Sequence, residues 1–217
     1  MGRVRARGDE EKGARREAIL AAAARLLDEG PYDGLSMADL AAEVGLSKAA
    51  LYLYFPTREV LFLEVLRIDL GAWLDGLGQG LSAVAFGDAE GVAGLLVGTL
   101  VARPRLVRLL GLLHLVLERH LDAAAVGAWK RWLLARVAEA GAALEGALPL
   151  GPGGGARLLV QVHALVVGFG QMADEGPVLA EVLAAPELAP LRVDLEAALR
   201  GALVPLLRGY LAVAAAR

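Results

Sequence analysis

Apolar residues recur at steps of three and four along most of this chain, which is the spacing of one face of an α-helix. In the first such stretch, from Arg15 to Glu29, aliphatic residues are interleaved with charged ones until Gly30 and Pro31 end the pattern. Apart from the five residues at 51–55, no stretch shows the period-two alternation of a strand, and the sequence has no internal repeat. The pattern therefore predicts an all-α fold. Later helices are predicted at about 57–77, 89–102, 105–120, 123–148, 156–173 and 193–215.

Two short helices are predicted between the first long helix and residue 57. Ser36 is a suitable N-cap residue, and Asp39 lies three residues later, where it completes a capping box. A helix therefore begins at Met37 and ends near Val44, where Gly45 stops it. The spacing gives a helix of about two turns followed by a sharp change of chain direction.

The next stretch, LYLYF, looks like a strand when taken alone because its aliphatic and aromatic residues alternate. Its flanks favour a helix, since Ser47 is an N-cap residue and Pro56 disfavours the α conformation for the residue before it. In a helix, Leu51 and Phe55 lie four residues apart on one face and anchor it to the core. Two short helices around Gly45 make a helix-turn-helix candidate, although an unrelated helical hairpin would satisfy the same spacing.

Composition narrows the possible classes of function. The 217 residues are 57% hydrophobic, which is enough for a sizeable core, and they include no cysteine. Disulfides, zinc–thiolate sites and thiol nucleophiles are therefore excluded. The three histidines and three serines are scattered, so the sequence shows neither a nucleophile beside a base nor a cluster of metal ligands. We therefore expect a protein that is not an enzyme and that uses neither a metal nor a cofactor.

Hydropathy raises the question of a membrane span. The longest uncharged run, Leu158 to Ala173, has sixteen residues and includes Gln161 and His163. It is shorter than the roughly 20 apolar residues that cross a bilayer, so a buried helix is the better interpretation. The N-terminal residues MGRVRARGDEEKG are charged and lack the apolar centre of a secretory signal. A cytoplasmic protein without a membrane partner is expected.

Charge is distributed unevenly along the chain, although the net charge is −3. Residues 1–16 carry six basic and three acidic side chains, which makes a modestly basic arm ahead of the first helix. Arg3, Arg5 and Arg7 suggest that this arm enters a DNA minor groove, while a frayed, solvated terminus explains the same composition. Net charge alone therefore does not identify a polyanionic partner.

The segment from about Ala14 to Val65 resembles the DNA-binding domain of the tetracycline-repressor (TetR/AcrR) family of bacterial transcriptional regulators. The matching stretches are AILAAAARLLDEG, LSMADLAAEVGLSKAALYLYF and PTREVLFLEVL. One local departure is the connection from Gly30 to Ser36, which is one residue longer, through Pro31, than its commonest form in the family. The remaining chain resembles the family only in length and helical character.

The resemblance implies both a fold and a function. The fold would have a three-helix helix-turn-helix DNA-binding domain at 1–56 and a helical bundle for ligand binding and dimerisation at 57–217. A homodimer would present its third helices to a palindromic DNA operator, and a small-molecule effector would release this repressor from DNA. The alternative is a helical partner-binding or scaffold protein of the same fold that does not bind DNA, because residues 1–60 have a net charge of −1.

Residues that match the family's DNA contacts cluster around the third helix. Lys48 and Tyr54 match positions that contact phosphates or bases, while Ala49 and Leu53 have no hydrogen-bonding group and offer only apolar contact. Tyr52 matches an aromatic of the motif, for which packing against the first helix is an equal alternative. The starts of the second and fourth helices match phosphate contacts. The predicted DNA-binding residues are Ser36, Lys48, Ala49, Tyr52, Leu53, Tyr54, Thr57 and Arg58.

The C-terminal half offers few polar groups for an effector pocket, which suits a hydrophobic or amphipathic ligand. A satisfied core residue is the simpler explanation for a lone histidine on an apolar helix. The pocket candidates are Trp73, His114, Glu118, Trp129, His163 and Phe169. The last two long helices are the natural dimer interface, and the resemblance places it there as well. The interface candidates are Ala164, Gly168, Leu195, Leu199 and Leu206.

Overall fold

The chain is all-α, as the hydrophobic pattern predicts. The structure, a computed structural model, describes the backbone of residues 2–216 and the side chains of residues 10–216. Ten α-helices and no strand occur within this described range. The helices are α1 (Gly2–Glu29), α2 (Met37–Glu43), α3 (Lys48–Tyr52), α4 (Arg58–Leu81), α5 (Ala89–Val101), α6 (Pro104–Leu112), α7 (Ala123–Ala147), α8 (Gly154–Ala173), α9 (Pro177–Val182) and α10 (Leu195–Ala215).

The first helix begins earlier than its hydrophobic pattern indicates. α1 starts at Gly2 rather than at Arg15, so the backbone of the basic arm continues this helix instead of preceding it. The side chains of Arg3, Arg5 and Arg7 lie outside the described side chains. Their entry into a minor groove stays a prediction.

The predicted helix 105–120 changes its hydrogen bonding halfway along. α6 ends at Leu112, and a π-helical turn at Leu113–Leu117 and a 3₁₀ turn at Glu118–His120 follow it. α9 and the 3₁₀ turn Pro186–Leu191 are absent from the sequence prediction, because six residues each are too few to show a helical period. The prediction of one regular helix over 105–120 is therefore wrong in its second half.

The chain forms two compact units, of which the first consists of Met1–Ile68 and Leu113–Leu121. One face of each of the first four helices contributes to its core. The unit extends past the predicted boundary at residue 56 because the beginning of α4 supplies part of that core. Fully buried core residues of α1 to α4 include Ile19, Leu27, Leu40, Leu51, Leu61 and Phe62.

The second unit consists of Asp69–Leu112 and Asp122–Arg217 and is the helical bundle predicted for the C-terminal half. Within it, α8 packs against α6, α7 and α10, and α5 packs against α10. α7 and α8 approach each other closely at Gly141 and Gly155, where a Cβ atom on Gly155 would lie 1.9 Å from the carbonyl oxygen of Gly141. This crossing has no space for a side chain on Gly155.

Two segments, Gly154–Ala173 and Pro186–Ala215, are long and apolar enough to cross a membrane by length and composition alone. That is weak evidence of a span, because core helices of soluble proteins pass the same test. α8 buries Leu158 and Val162 on one face, while Val160 on another face is 65% exposed. The prediction of a buried helix at 158–173 therefore holds for one face only.

Candidate nucleic-acid interface and effector region

α2 begins at a complete capping box. The hydroxyl oxygen of Ser36 accepts from the amides of Ala38 and Asp39, both at 3.2 Å, and Asp39 Oδ2 accepts from the Ser36 amide at 3.0 Å and from its hydroxyl at 2.6 Å. The bond from the Ser36 side chain is the largest cause of a lowered pKa of Asp39. The predicted cap is confirmed. The Ser36 hydroxyl serves α2 and a carboxylate occupies this helix N-terminus, and the phosphate contact of Ser36 stays a prediction.

A glycine in the left-handed conformation separates α2 from α3. Gly45 has φ +66°, which favours glycine over residues with a Cβ atom. Its amide donates to the carbonyl of Ala42 at 3.1 Å, and the amide of Leu46 donates to the carbonyl of Ala41 at 2.8 Å. Ser47 then caps α3 through its hydroxyl oxygen. The predicted helix-turn-helix geometry is present.

α3 has one buried face and one exposed face. Leu51 and Phe55 are 0% and 1% exposed, and the Phe55 amide donates to the carbonyl of Leu51 at 3.1 Å. The helical course therefore continues past Tyr52, the last residue of α3. Away from this anchor, Leu53 is 83% exposed and Tyr52 is 42% exposed. The predicted role of Leu51 and Phe55 as anchors is confirmed, and the exposure of Tyr52 favours a surface role over packing.

The exposed side chains of this element are Lys48, Ala49, Tyr52 and Leu53, and we call them the reading face. The Lys48 ammonium lies 6.0 Å from the centre of the Tyr52 ring, and no ion pair within residues 10–216 neutralises it. Tyr54 is half-buried. This surface can bind phosphate through Lys48 and base edges through apolar contact.

Thr57 and Arg58 begin α4 in different ways. The hydroxyl oxygen of Thr57 accepts from the Val60 amide at 3.1 Å and so caps the start of α4. Arg58 Nη1 donates to the carbonyls of Leu35 at 2.7 Å and Tyr32 at 3.2 Å, and its guanidinium carbon lies 4.1 Å from the centre of the Tyr32 ring. Arg58 therefore fastens α4 to the connection between α1 and α2. A phosphate contact of Arg58 stays a prediction.

Burial raises the pKa of Tyr32 to about 12, an effect that the neighbouring Arg58 charge partly offsets. Because this pKa lies above the ordinary value of 10.0, the stability that neutral Tyr32 contributes is complete below pH 10 and is lost as the pH rises toward 12. We expect Tyr32→Phe to shift alkaline unfolding to higher pH, measured by circular dichroism. Tyr54→Phe is the control and should unfold as the wild type does. An alkaline transition that Tyr32→Phe leaves in place would contradict the expectation.

Two other arginines of the first unit, Arg16 and Arg25, are paired with acids. Arg16 donates to Glu64 at 2.7 Å, and Arg25 donates to Glu43 at 2.9 Å. Exposed pairs of this kind add little stability, but each partly neutralises a cation that could otherwise contact phosphate. Phosphate binding by this unit therefore depends more on Lys48 than the number of its basic residues suggests.

Matches to known families agree with this geometry. Residues 19–65 match a family described as bacterial regulatory proteins, tetR family, and residues 68–214 match one described as tetracyclin repressor-like, C-terminal domain. The second match covers more than half of the chain. The chain belongs to the tetracycline-repressor family. Members of this family are DNA-binding transcriptional regulators rather than enzymes.

Individual relatives of this family member match it over part of their length. Nucleoid occlusion factor SlmA of Shewanella amazonensis is 47% identical over 53 residues, which are 24% of this chain and 27% of SlmA. The HTH-type transcriptional regulator RutR of Escherichia coli K12 is 35% identical over 76 residues, which are 34% of this chain and 36% of RutR. The chain thus spans about a quarter to a third of the length of these curated relatives.

A solved structure extends the similarity to the whole fold. It is described as a TetR-family transcriptional regulator from Mesorhizobium loti MAFF303099, is 18% identical, and superimposes with a TM-score of 0.51 over 93% of this chain and 96% of that chain. At this identity the match shows the fold alone.

Two of the predicted pocket residues lie in the first unit of this family member. His114 Nδ1 lies 3.2 Å from Glu118 Oε2, within the segment Leu113–Leu121. Residues 10–216 contain no group of three His, Asp or Glu side chains that could hold a metal ion. The other four pocket candidates belong to the second unit.

The tryptophans predicted to line a pocket are core residues instead. Trp73 is 5% exposed and its Nε1 donates to Thr99 Oγ1 at 3.1 Å. Trp129 is 4% exposed and stacks on Trp132 with ring centroids 5.1 Å apart. Both rings pack within α4, α5 and α7, and their role in an effector pocket stays a prediction. The two candidates on α8, His163 and Phe169, are half-buried.

Two adjoining clefts between α4 and α7 contain none of the predicted pocket residues. One has a volume of about 140 Å³ and is lined by Asp75, Arg136 and Glu139 among others, and the second has about 360 Å³ and an apolar lining that includes Phe86. Gly78 of α4 lines both clefts, which we together call the α4–α7 groove. Arg136 donates to both carboxylates, so one negative charge remains in excess at the polar end.

The exposed faces of α8 and α10 carry small and apolar residues at four-residue steps, which we call the α8 and α10 stripes. The Tyr210 hydroxyl donates to Gln161 Oε1 at 2.9 Å and joins the two helices. The α8 stripe consists of Val160, Ala164, Gly168 and Met172. The α10 stripe consists of Ala197, Gly201, Pro205, Gly209 and Val213.

The five predicted interface residues differ in their burial. Ala164 and Gly168 are exposed on the α8 stripe, and Leu195 and Leu206 are half-buried. Leu199 is fully buried within the chain, so its predicted place in a dimer interface is wrong. α10 carries aliphatic residues on several of its faces, and packing against other helices decides which of them are buried in the core.

Proposed function

We propose that this tetracycline-repressor family member is a cytoplasmic transcriptional repressor that binds a palindromic operator as a homodimer. The exposed reading face carries the proposal, because Leu51 and Phe55 hold α3 in place while Tyr52 and Leu53 project into solvent. Such a surface enters the major groove in helix-turn-helix proteins. We assign base contact to Ala49, Tyr52 and Leu53 of the reading face. Lys48, Tyr54 and Thr57 are proposed to contact phosphate.

The α8 and α10 stripes support the homodimer. Small residues allow two helices to approach closely, and neither stripe contains a charged residue. Two copies packed through these stripes would form a four-helix interface and would carry two reading faces. A two-fold dimer recognises two half-sites about 34 Å apart or a multiple of that distance, which is why the operator is proposed to be palindromic.

A titration with DNA from upstream of the protein's own gene tests the proposal. We expect a saturable complex in gel-shift and fluorescence-anisotropy experiments that survives an excess of random DNA of the same length. The alternative is a scaffold protein without DNA binding, which the paired Arg16 and Arg25 and the slightly acidic N-terminal part favour. A folded dimer that binds neither the upstream DNA nor the random DNA at low salt would support this alternative.

Lys48→Ala tests the predicted phosphate contact. Each subunit loses one cation, so we expect the slope of log affinity against log salt to flatten by about two for the dimer. Affinity at low salt should fall by about tenfold or more for specific and random DNA alike. Anisotropy titrations at several salt concentrations measure both quantities. Lys130→Ala, on α7 of the second unit, is the control, and a slope that Lys48→Ala leaves unchanged would remove Lys48 from the phosphate contacts.

We propose that a small amphipathic effector binds the α4–α7 groove and releases the repressor. The supporting features are a cleft of about 360 Å³ with an apolar lining and a polar end that retains one excess carboxylate. A volume of this size is within the range of small-molecule sites. The excess charge favours a ligand with an apolar body and a neutral or cationic head.

Gly78→Leu should fill the groove without straining the fold, because a Cβ atom on Gly78 has no neighbour within 4 Å. We expect the wild type to enhance the fluorescence of the apolar probe phenylnaphthylamine and Gly78→Leu to lose most of that enhancement while it still binds DNA. Gly98→Leu is the matched control, since a Cβ on Gly98 also meets nothing within 4 Å. Equal enhancement in all three proteins would place the effector site elsewhere.

A further inference from the structure

We infer that Leu53, together with Ala49, reads thymine by contact with its C5 methyl group in the major groove of the operator. The inference rests on the proposed DNA-binding function and names the chemistry by which that function selects a sequence. Leu53 carries it, because a large aliphatic side chain that is 83% exposed has no role in the core of its unit.

The backbone fixes the direction of the Leu53 side chain. Its φ and ψ are −70° and −22°, which are helical, and its amide bonds to the carbonyls of Ala50 and Leu51. Residues two apart on a helix point to nearly opposite sides, and residues four apart share a side. Leu51 and Phe55 therefore form the buried side, and Ala49 and Leu53 lie on the side that faces away from the core.

The hydrogen-bonding groups of this element do not suit direct reading of base edges. Residues 47–55 contain no Arg, Asn, Gln, Asp or Glu, which are the side chains that make paired hydrogen bonds to bases. The Ser47 hydroxyl caps α3, and Lys48 is a point charge suited to phosphate. The Tyr52 hydroxyl can make one bond. Sequence discrimination by α3 must therefore come mostly from apolar contact.

Thymine supplies the matching group. Among the four bases, it alone presents a methyl group in the major groove. Burying one methyl against a leucine changes affinity by about fourfold, so two symmetric half-sites change it by about fifteenfold. Ala49, one turn before Leu53, is small enough for the base to approach the helix closely. The operator is therefore inferred to have thymine beneath Leu53 in both half-sites.

Single-atom changes in DNA test this inference. Binding sequences are first selected from a random duplex library with the full-length protein. Each thymine of the selected site is then replaced with deoxyuridine, which removes the methyl group and keeps every hydrogen-bonding group. We expect replacement at one symmetric pair of positions to weaken binding by about fifteenfold, and replacement outside the protected region to have no effect.

The protein side of the test uses Leu53→Ala, which should fold normally because the side chain is exposed. We expect this variant to bind the thymine and deoxyuridine sites equally. Lys48→Ala is the matched control and should weaken binding to both sites while it keeps their ratio. Melting curves confirm that all variants are folded.

Three results would overturn the inference or its basis, and they are distinguishable. Equal binding of thymine and deoxyuridine sites at every position by the wild type rules out methyl reading. A ratio that persists in Leu53→Ala assigns the methyl contact to another residue. Failure of the library to yield any preferred sequence refutes the proposed sequence-specific function itself, and with it the inference.

Discussion

Replacing Gly155 with alanine is expected to destabilise the second unit by about 3 kcal/mol, because the new methyl group would overlap the backbone of a neighbouring helix. Its Cβ would lie 1.9 Å from the carbonyl oxygen and 2.8 Å from the Cα of Gly141. Real Cβ atoms do not approach backbone this closely, so α7 and α8 would have to separate. Separation would also break the bond from the Gly155 amide to Glu145 Oε1, which is 3.1 Å long.

Calorimetric melting measures this effect, and we expect the melting temperature to fall by about 10 °C for a loss of this size. Gly98→Ala is the matched control. Gly98 is an exposed residue inside α5 with open space around a Cβ, so alanine there should stabilise the protein by up to about 1 kcal/mol through helix propensity. If Gly155→Ala and Gly98→Ala had the same melting temperature, α7 and α8 would have to lie farther apart at Gly155 than a 1.9 Å Cβ-to-oxygen distance implies.

The helix-turn-helix could be predicted in detail because local sequence determines most of it. Ser36, Gly45 and Ser47 act within three or four residues of their own position, through two caps and one left-handed turn. The anchoring roles of Leu51 and Phe55 follow from the same short range. Where residues close in the chain decide the structure, pattern and capping rules suffice.

In the same unit, local sequence patterns do not reveal side-chain partners that are distant in the chain. Arg58 bonds to carbonyls more than twenty residues earlier, so no local pattern reveals that its guanidinium is occupied. Tyr32 supplies the ring beneath it. The connection that contains Tyr32 is also one residue longer, through Pro31, than its commonest form in the family.

Helices that are apolar on several sides explain the corrections in the second unit. α10 offers aliphatic residues on more than one face, so the pattern predicts Leu199 at the interface although it lies in the core. Trp73, a predicted pocket residue, is buried, and its indole nitrogen donates to Thr99 on another helix. The sequence predicts which helices exist, but the choice of core face depends on packing between helices, and periodicity does not contain that information.

Gly168→Arg is expected to convert the protein to a monomer and to weaken operator binding by about a hundredfold or more. Gly168 lies in the middle of the α8 stripe, and a Cβ there has no neighbour within 4 Å in the single chain. The monomer should therefore tolerate arginine, whereas a second copy packed on the stripe would meet its bulk and charge. Loss of the dimer removes the gain from binding two half-sites at once, which is about 10² to 10⁴.

Sedimentation velocity measures the oligomeric state, and anisotropy with the selected operator measures affinity. Leu134→Arg is the matched control, because Leu134 is 71% exposed on α7 and lies outside both stripes. It should remain dimeric and bind DNA as the wild type does. A dimeric Gly168→Arg protein would move the interface away from α8, whereas a monomeric one that keeps full affinity would show that dimerisation is not required for binding. Only loss of both properties together supports an operator read by two linked subunits.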